Sequence, residues 1–572
     1  MNLSPEEKEI GKQNFNEAVG TTRRDFLKGS VLAGGVAATA GLGAIYFNYG
    51  PALDDRLRVG IIGTGDEGGV LIGAINPAYI DVVALADIRP YSIHRAFYGD
   101  WYSPGAHAAR PGLLDVYRDE KWTDKSAAEN HIKVYTDGYS ELLDDPNVEA
   151  VIIALPLHLH HEAAVAAMRK GKHVLTEKLM GHNVAQCKEM ARVAQETGKV
   201  LAVGHQRHYS VLYDNAVDQI KRGLIGDIHH IRAQWHRANK PGNDSWQPPL
   251  PRSKELVGEL SSWERVLAGK HDKIPKPTDP AAILEWERKI AQKKAQLDDI
   301  TNEIAAKYGY QDKTLENGYN RSALEELIRW RLWNRTGGGL MAELGSHQLD
   351  AASIFISAQQ PGGRKVKPLS VTGVGGRHIF PLDRDCDDHV YCTFEFPGPG
   401  YYKDESGYEI ADPNKKIVVT YSSINGNGFG GYGEIVFGTT GTMILEQEQD
   451  AMLFKGSATT TKIEVRDVKG KPTMDTYETG GGAAVAQAAT GGNVSRGYRE
   501  EIEHWAWCIR NPDPAHKPRC APEVALGDAV IALTSNIAIA EGKRIEFKPE
   551  WFDIARSETP DGSTPRQASQ VA

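Results

Sequence analysis

The feature that most constrains this chain is a glycine-spaced turn, Gly63-Thr64-Gly65-Asp66-Glu67-Gly68, set directly after a short apolar run. Arg58 to Ile62 reads as a strand, the turn opens a helix, and Val82 to Ala86 reads as the next strand, ending at Asp87. In this order each glycine has a reason. Gly63 permits the tight turn, Gly65 lets backbone approach a pyrophosphate, and Gly68 lets helix and strand pack closely. The helix N-terminus then faces the phosphates. Asp87, about 20 residues on, is placed to accept hydrogen bonds from ribose hydroxyls and to repel a 2′-phosphate. The pattern predicts a dinucleotide site with NAD as cofactor, while Arg89 nearby keeps NADP open. Asp66 and Glu67 suit a helix N-terminus if they point outward.

Strand and helix alternate onward. Ile132–Tyr135, Ala150–Leu155, His173–Thr176 and Val200–Val203 read as strands, with helices over about 161–170 and 183–197. Alternation predicts a doubly wound, mainly parallel Rossmann sheet over 54–205. Residues 97–130 lack periodicity and read as an insertion. After about Gly204 the pattern changes. Strands at Ile228–Trp235, Ser370–Val374, Asp388–Phe396, Lys416–Tyr421, Gly433–Phe437 and Thr442–Leu445 predict an α+β domain over 206–555 with a large, mainly antiparallel sheet. The fold class is thus α/β with a second α+β domain. A charged insertion covers about 243–335. Within it Asp279-Pro280 is a helix start, and Ile283, Trp286, Ile290, Leu297, Ile300 and Ile304 follow a heptad-like spacing to Gly309. That stripe packs either on its own domain or on a partner subunit. The Ser/Thr/Pro/Gln-rich tail 556–572 is expected to be disordered.

Two segments then carry a family resemblance. The strand Val151–Leu155 runs into Pro156-Leu157-His158-Leu159-His160, followed by Gly171-Lys172-His173-Val174-Leu175-Thr176-Glu177-Lys178. This resembles the Gfo/Idh/MocA oxidoreductases, whose pattern ends in G-K-H-V-x-x-E-K-P; Leu179 stands where that family has proline. The resemblance implies that Pro156, His160, Glu177 and Lys178 border the cofactor and that Lys178 is catalytic. The residues make an independent case for Lys178. It lies at the carboxyl end of a predicted parallel strand, where such sheets hold ligands, and a lysine there can hydrogen-bond a substrate hydroxyl.

The second constellation is Gly337-Gly338-Gly339 followed by Glu343, His347 and Asp350. The glycines allow close backbone approach. The spacings of four and three place the three side chains on one helix face, where a carboxylate fixes the tautomer of the imidazole and raises its basicity. The segment is similar to the family's G-G-G…D-x-x-x-H, with Glu343 in place of Asp. The resemblance implies His347 as base and Glu343 as a tuning group. Gln206-Arg207 resembles the family's Q-R segment, so Gln206 is a candidate cofactor or substrate contact. Along Ile228–His236 the polar residues His230, Arg232, Gln234 and His236 share a face that lines either a sugar site or a wet subunit interface.

The rest of the sequence limits partners and location. A net charge of -9 argues against nucleic acid. The cysteines Cys187, Cys386, Cys392, Cys508 and Cys520 form no C-x-x-C pair, so no metal site or disulfide framework is expected. Thr22-Arg23-Arg24-Asp25-Phe26-Leu27-Lys28 precedes a Gly/Ala-rich run from Val31 to Phe47. This is the form of a twin-arginine export signal, so residues 1–53 are expected to be signal and linker, with a periplasmic location. An uncleaved signal would leave a tether, and no other stable membrane span is expected. The resemblance implies hydride transfer between a bound nicotinamide and a sugar, glycoside or cyclitol hydroxyl carbon, in a homo-oligomer. Two other readings are kept: redox-neutral, NAD-using glycoside cleavage, and a non-catalytic scaffold that retained the fold.

Overall fold

The computed structural model describes residues 3–32, 42–50, 52–316, 318–360, 365–404, 407, 409–468, 471–476 and 496–571. Six strands, β1 (Leu57–Ile62), β2 (Ile80–Ala86), β3 (Lys133–Tyr135), β4 (Ala150–Ile153), β5 (His173–Glu177) and β6 (Leu201–Gly204), form one parallel sheet in the order β3-β2-β1-β4-β5-β6. All four residues of β4 are buried, as a strand covered on both faces must be. Strand order reverses between β1 and β4, which opens a crevice at their carboxyl ends.

The second sheet collects β7 (Ile228–His236), β10 (Ser370–Gly376), β11 (His389–Pro397), β12 (Lys416–Ile424), β13 (Tyr432–Gly438), β14 (Gly441–Glu446), β15 (Asp450–Lys455) and β18 (Ile545–Glu546). Two small hairpins, β8 (Lys313–Thr314) with β9 (Asn320–Arg321) and β16 (Ile463–Val468) with β17 (Lys471–Thr476), stand apart from it. The eight-strand order is β15-β14-β13-β7-β12-β11-β10-β18, antiparallel except for the β7–β12 pair. Burial alternates residue by residue along β12, so one face is core and the other partly open.

The C-terminal chain returns to the nucleotide domain, so the two units share cores. Helix Tyr498–Arg510 puts Ile502, Trp505 and Ala506 into the cluster beneath β1 and β2. Helix Pro522–Glu541 contributes Leu526, Ala529 and Val530 to the core of the parallel sheet and Ile531 and Ala538 to that of the mixed sheet. It is long and apolar enough to cross a membrane, and apolar on all sides because both of its faces are covered by protein.

Two expectations are corrected, on the tail and on the insertion. The tail is ordered as far as Val571: Arg192 donates to the carbonyls of Ile554, Arg556 and Arg566, Lys188 to those of Glu550 and Glu558, and Arg566 pairs with Glu189 at 2.8 Å. Its composition offers little apolar surface, but two largely buried cations hold its backbone. The apolar stripe of the insertion is broken rather than continuous. Helix Pro280–Leu297, capped by Asp279, stops before Asp298, and Thr301 caps a new helix, Asn302–Lys307. The first of these packs within the chain, against helices Lys254–Leu267 and Pro90–Tyr98, with Trp286 edge-on to Trp263. Upstream of the paired arginines, the first half of helix Pro5–Leu32 packs on the mixed-sheet domain. Asn14 donates to the carbonyls of Leu453 and Thr461, and Phe15 and Ala18 are buried against the mixed-sheet domain. Residues 33–41 of the apolar run lie outside the described residues.

Arg207 joins these parts at the crossing between domains. It is 2% exposed. Its Nε donates to Glu448 at 2.9 Å, and its Nη1 donates to Glu434 at 3.0 Å and to the His347 carbonyl at 2.6 Å. Tyr213 lies under the guanidinium and donates its hydroxyl to Glu434. Arg207→Ala strands buried carboxylates and is expected to cost about 3–5 kcal/mol of stability, as breaking a buried pair does. Urea unfolding of the two proteins checks this; a loss below about 1 kcal/mol would show that solvent compensates the site.

Candidate active site

A cavity of about 780 Å³ opens at the carboxyl ends of the parallel strands and runs to the mixed sheet. Gly63, Gly65, Asp87, Pro156, His160, Glu177 and Lys178 line it from one side, and Trp235, Arg237, Glu343 and His347 from the other. The fingerprint glycines differ as their roles require. Gly63 has φ +86, and a Cβ there would lie 2.5 Å from the Ala154 carbonyl oxygen. A Cβ at Gly68 would lie 2.3 Å from the Gly63 carbonyl oxygen. At Gly65 a Cβ would meet nothing within 4 Å, so that position faces open space at a helix N-terminus, where a pyrophosphate fits. Asp87 accepts from Thr64 N–H at 2.7 Å and from Arg89 N–H at 2.8 Å, which fixes the turn and leaves further lone pairs for a ribose. The neighbouring Arg89 donates its Nε to Asp299 at 2.8 Å; that carboxylate is fully buried and comes from the insertion. The cation is thereby committed to a protein carboxylate. These residues fit a dinucleotide.

The lysine and histidine segments meet in the cavity. Glu177 closes β5, and the Lys178–Leu179 peptide is cis. Lys178 Nζ donates to the Glu343 carbonyl at 2.7 Å, joining the domains across the site. Burial, and then Glu67, raise the Glu177 carboxyl well above its ordinary value, and burial raises Glu67 too. Two carboxyls in one desolvated pocket do not both ionise freely.

The expected shared face of Glu343, His347 and Asp350 does not form. Met341–Gly345 is a π-helical turn, and the α-helix Ser346–Ala358 begins only after it. The wider turn rotates residue 343 relative to residue 347, so a spacing of four no longer stacks them. Glu343 pairs instead with Arg331 at 2.7 Å. Burial alone would raise its carboxyl; Arg331 and Lys178 outweigh that and hold it at about 2. Asp350 accepts from His208 at 3.0 Å and faces Lys365 at 3.5 Å, away from the imidazole of His347. His347 lies 5.5 Å from the Trp235 ring. Burial, then the charges of Lys178 and Arg207, push it well below its ordinary value, which favours the neutral imidazole and makes it a weaker base than an ordinary histidine.

Other expected contacts lie elsewhere. Gln206 is buried near Glu448 and is not among the residues that line the cavity. His160 reaches the cavity wall, but its two ring nitrogens face the Leu155 and Leu179 carbonyls at 2.8 Å, so it clamps the two loops. The polar face of β7 points away from the cavity: His236 contacts Ser422 and the Phe429 carbonyl, and Arg232 borders a shallow depression on the outer sheet surface. The inward parity is the other one, Ile231, Ala233, Trp235 and then Arg237. Arg237, Arg331 and Arg496 all line the cavity and were not found from sequence. Period-two parity past the end of β7 was the available signal for Arg237.

Residues 57–205 match the Gfo/Idh/MocA family, described as oxidoreductase family, NAD-binding Rossmann fold. A 1,5-anhydro-D-fructose reductase of Ensifer adhaerens is 37% identical over 100 residues, 18% of this chain and 30% of that protein. A glycosyl hydrolase family 109 protein of Solibacter usitatus is 25% identical over 224 residues, 38% of this chain and 46% of that protein. The chain thus spans less than half the length of these curated relatives. The crystal structure of an oxidoreductase domain protein from Kribbella flavida shares the fold, with a TM-score of 0.50 at 14% identity, covering 86% of this chain and 99% of the other.

The Arg89–Asp299 pair generates a prediction. Asp299→Ala should free the guanidinium for a 2′-phosphate and lower the NADPH-to-NADH ratio of dissociation constants by about tenfold, the worth of one charge-assisted hydrogen bond. Fluorescence titration of both reduced cofactors measures the ratio; no change would mean that Arg89 does not reach the ribose.

Proposed function

We propose, for a chain whose nucleotide domain matches the Gfo/Idh/MocA oxidoreductase family, an NAD-dependent dehydrogenase or reductase of a sugar-like CH–OH group. The observation that carries this is the convergence of Lys178 and His347 in the same cavity as the Gly65–Asp87 nucleotide end. A nicotinamide, when bound, supplies the hydride exchange. The chain's own residues hold the dinucleotide with Gly63, Gly65 and Asp87 and manage the proton. The neutral imidazole of His347 takes the hydroxyl proton of the alcohol, or returns it in the other direction. Lys178 Nζ, fixed by the Glu343 carbonyl, has N–H groups left to orient the hydroxyl oxygen. Glu343 acts at one remove, by holding Arg331 at the site.

A second reading, redox-neutral cleavage of a glycoside by transient oxidation, is favoured by the relative named a glycosyl hydrolase family 109 protein. Product analysis without added cofactor separates the two. The sequence Arg23-Arg24 supports export by the twin-arginine route to the periplasm with NAD already bound. The partly open sheet face, with Val374 and Tyr391 exposed, supports a homo-oligomer.

Lys178→Met and His347→Ala are each expected to lower turnover about 100-fold or more while NADH binding persists, the usual scale for a positioned acid or base. Steady-state kinetics on an identified sugar, with NADH fluorescence as control, tests both, and near wild-type rates in both variants would remove the assignment. Replacing Arg23 and Arg24 by lysines should retain the protein in the cytoplasm. Cell fractionation reads this directly, and unchanged periplasmic yield would rule the export reading out.

A further inference from the structure

Arg237 is the unexplained charge of the cavity. It follows β7 on the inward parity, one residue past His236. Its guanidinium carbon lies 5.6 Å from the Trp235 ring and 5.3 Å from the Trp246 ring. Its Nε is buried and makes no hydrogen bond, and among the described residues no carboxylate pairs with it. The other cavity arginines are committed: Arg331 to Glu343, Arg496 to Glu448, Arg110 to Asp100 and Arg329 to Glu325, each at 2.7 Å, Arg89 to Asp299 at 2.8 Å, and Arg95 to Asp66 at 2.6 Å.

A guanidinium cannot shed its charge by losing a proton under ordinary conditions, so a half-buried one without an anion carries an unrepaid desolvation cost. Two indoles hold the group in place but supply no acceptor oxygen. Glu343 and Asp244 act on it at longer range but are paired with Arg331 and Arg384, so an acceptor in contact with Arg237 has to come from outside the chain. The nucleotide phosphates are expected at the far end, over Gly65. Arg237 sits instead one indole away from His347, since Trp235 also lies 5.5 Å from that imidazole. One sugar ring with a hydrogen bond at each end spans such a separation. A single planar fork with two parallel N–H groups matches one carboxylate. A phosphate dianion would leave half its charge unmatched by this residue.

We propose that Arg237 is a specificity residue that binds a carboxylate on the substrate, so that the substrate class is sugar acids, uronate or aldonate, rather than neutral sugars. This rests on the reading of the cavity as a sugar-oxidising or sugar-reducing site. Trp235 and Trp246 wall the subsite and hold the fork for the bidentate pair.

The test uses the full-length protein loaded with NADH and calorimetric titration of matched pairs, glucuronate with glucose and galacturonate with galactose. Turnover with NAD is measured in parallel. Acids are expected to bind at least about tenfold tighter than their neutral partners, the worth of one charge-assisted pair. Arg237→Met should abolish that ratio. Arg237→Lys should restore part of it, because the charge returns without the fork. NADH affinity serves as the folding control for both variants. Equal binding of acid and neutral sugars by the wild type would overturn the proposal. So would an Arg237→Met variant that keeps the acid preference, or one that loses NADH instead, since the guanidinium would then serve the cofactor. Turnover of neutral sugars with no gain for acids removes the carboxylate subsite and leaves the dehydrogenase reading standing. Arg237-dependent acid binding with no turnover of any sugar does the reverse.

Discussion

The buried guanidinium of Arg207 is the interaction on which the rest of the active-site architecture depends. It lies where the chain leaves the parallel sheet, and its donors reach the mixed sheet through Glu434, the turn after β14 through Glu448, and the helix of His347 through a backbone carbonyl. One cation therefore ties the helix of one candidate catalytic group to the end of β6, the neighbour of the strand that delivers the other. The arrangement has an electrostatic cost. Burial pushes the Glu434 carboxyl up to about 7 even beside this arginine, so the ion pair is only partly compensated. Such sites favour a single geometry over maximal stability, because any displacement leaves a charge in a low-dielectric environment.

The same logic governs the cavity. Two of its carboxylates are matched to cations, Glu343 to Arg331 and Asp66 to Arg95, while Glu448, behind the wall, holds Arg496 and Arg207. What is left near the site is a neutral imidazole, a lysine held by a carbonyl, and, among the described residues, one guanidinium with no carboxylate in contact. Burial raises the carboxyls of both Glu67 and Glu177. A pocket of this kind is consistent with the proposed alcohol substrate and with an anion in contact with Arg237.

Packing distributes the two domains over the chain differently from the order of sequence. Helices Tyr498–Arg510 and Pro522–Glu541 follow the mixed sheet in sequence yet cover the parallel sheet. The second is apolar all round because it separates two cores. The tail to Val571 is polar, and its order comes from captured backbone; the helix before Arg23 is held by the buried Phe15 and Ala18 and by its Asn14 side chain. Arg192 and Lys188 hold tail carbonyls, while Asn14 reaches carbonyls at Leu453 and Thr461. Composition measures only the apolar part of folding free energy, so segments fixed by hydrogen bonds to a few buried side chains escape it.

The sequence by itself determined the nucleotide half. Glycines at 63, 65 and 68, an acid at 87 and the alternation of apolar strands with helices are local signals, because each follows from backbone conformation or from a period of 2 or 3.6. It also placed Lys178 at a strand end and His347 behind a glycine run, and the strands of the second sheet. Tertiary structure alone decided the rest. A π-helical turn at Met341–Gly345 separates Glu343 from His347, although their spacing of four suggests a pair. Arg331, Arg237 and Arg496 come from three distant segments, and which is paired depends on carboxylates that only the fold brings near. Asp299, in a charged insertion, decides what Arg89 can do beside the ribose site. Charge pairing acts through space over a few ångströms, and sequence order carries no record of that distance.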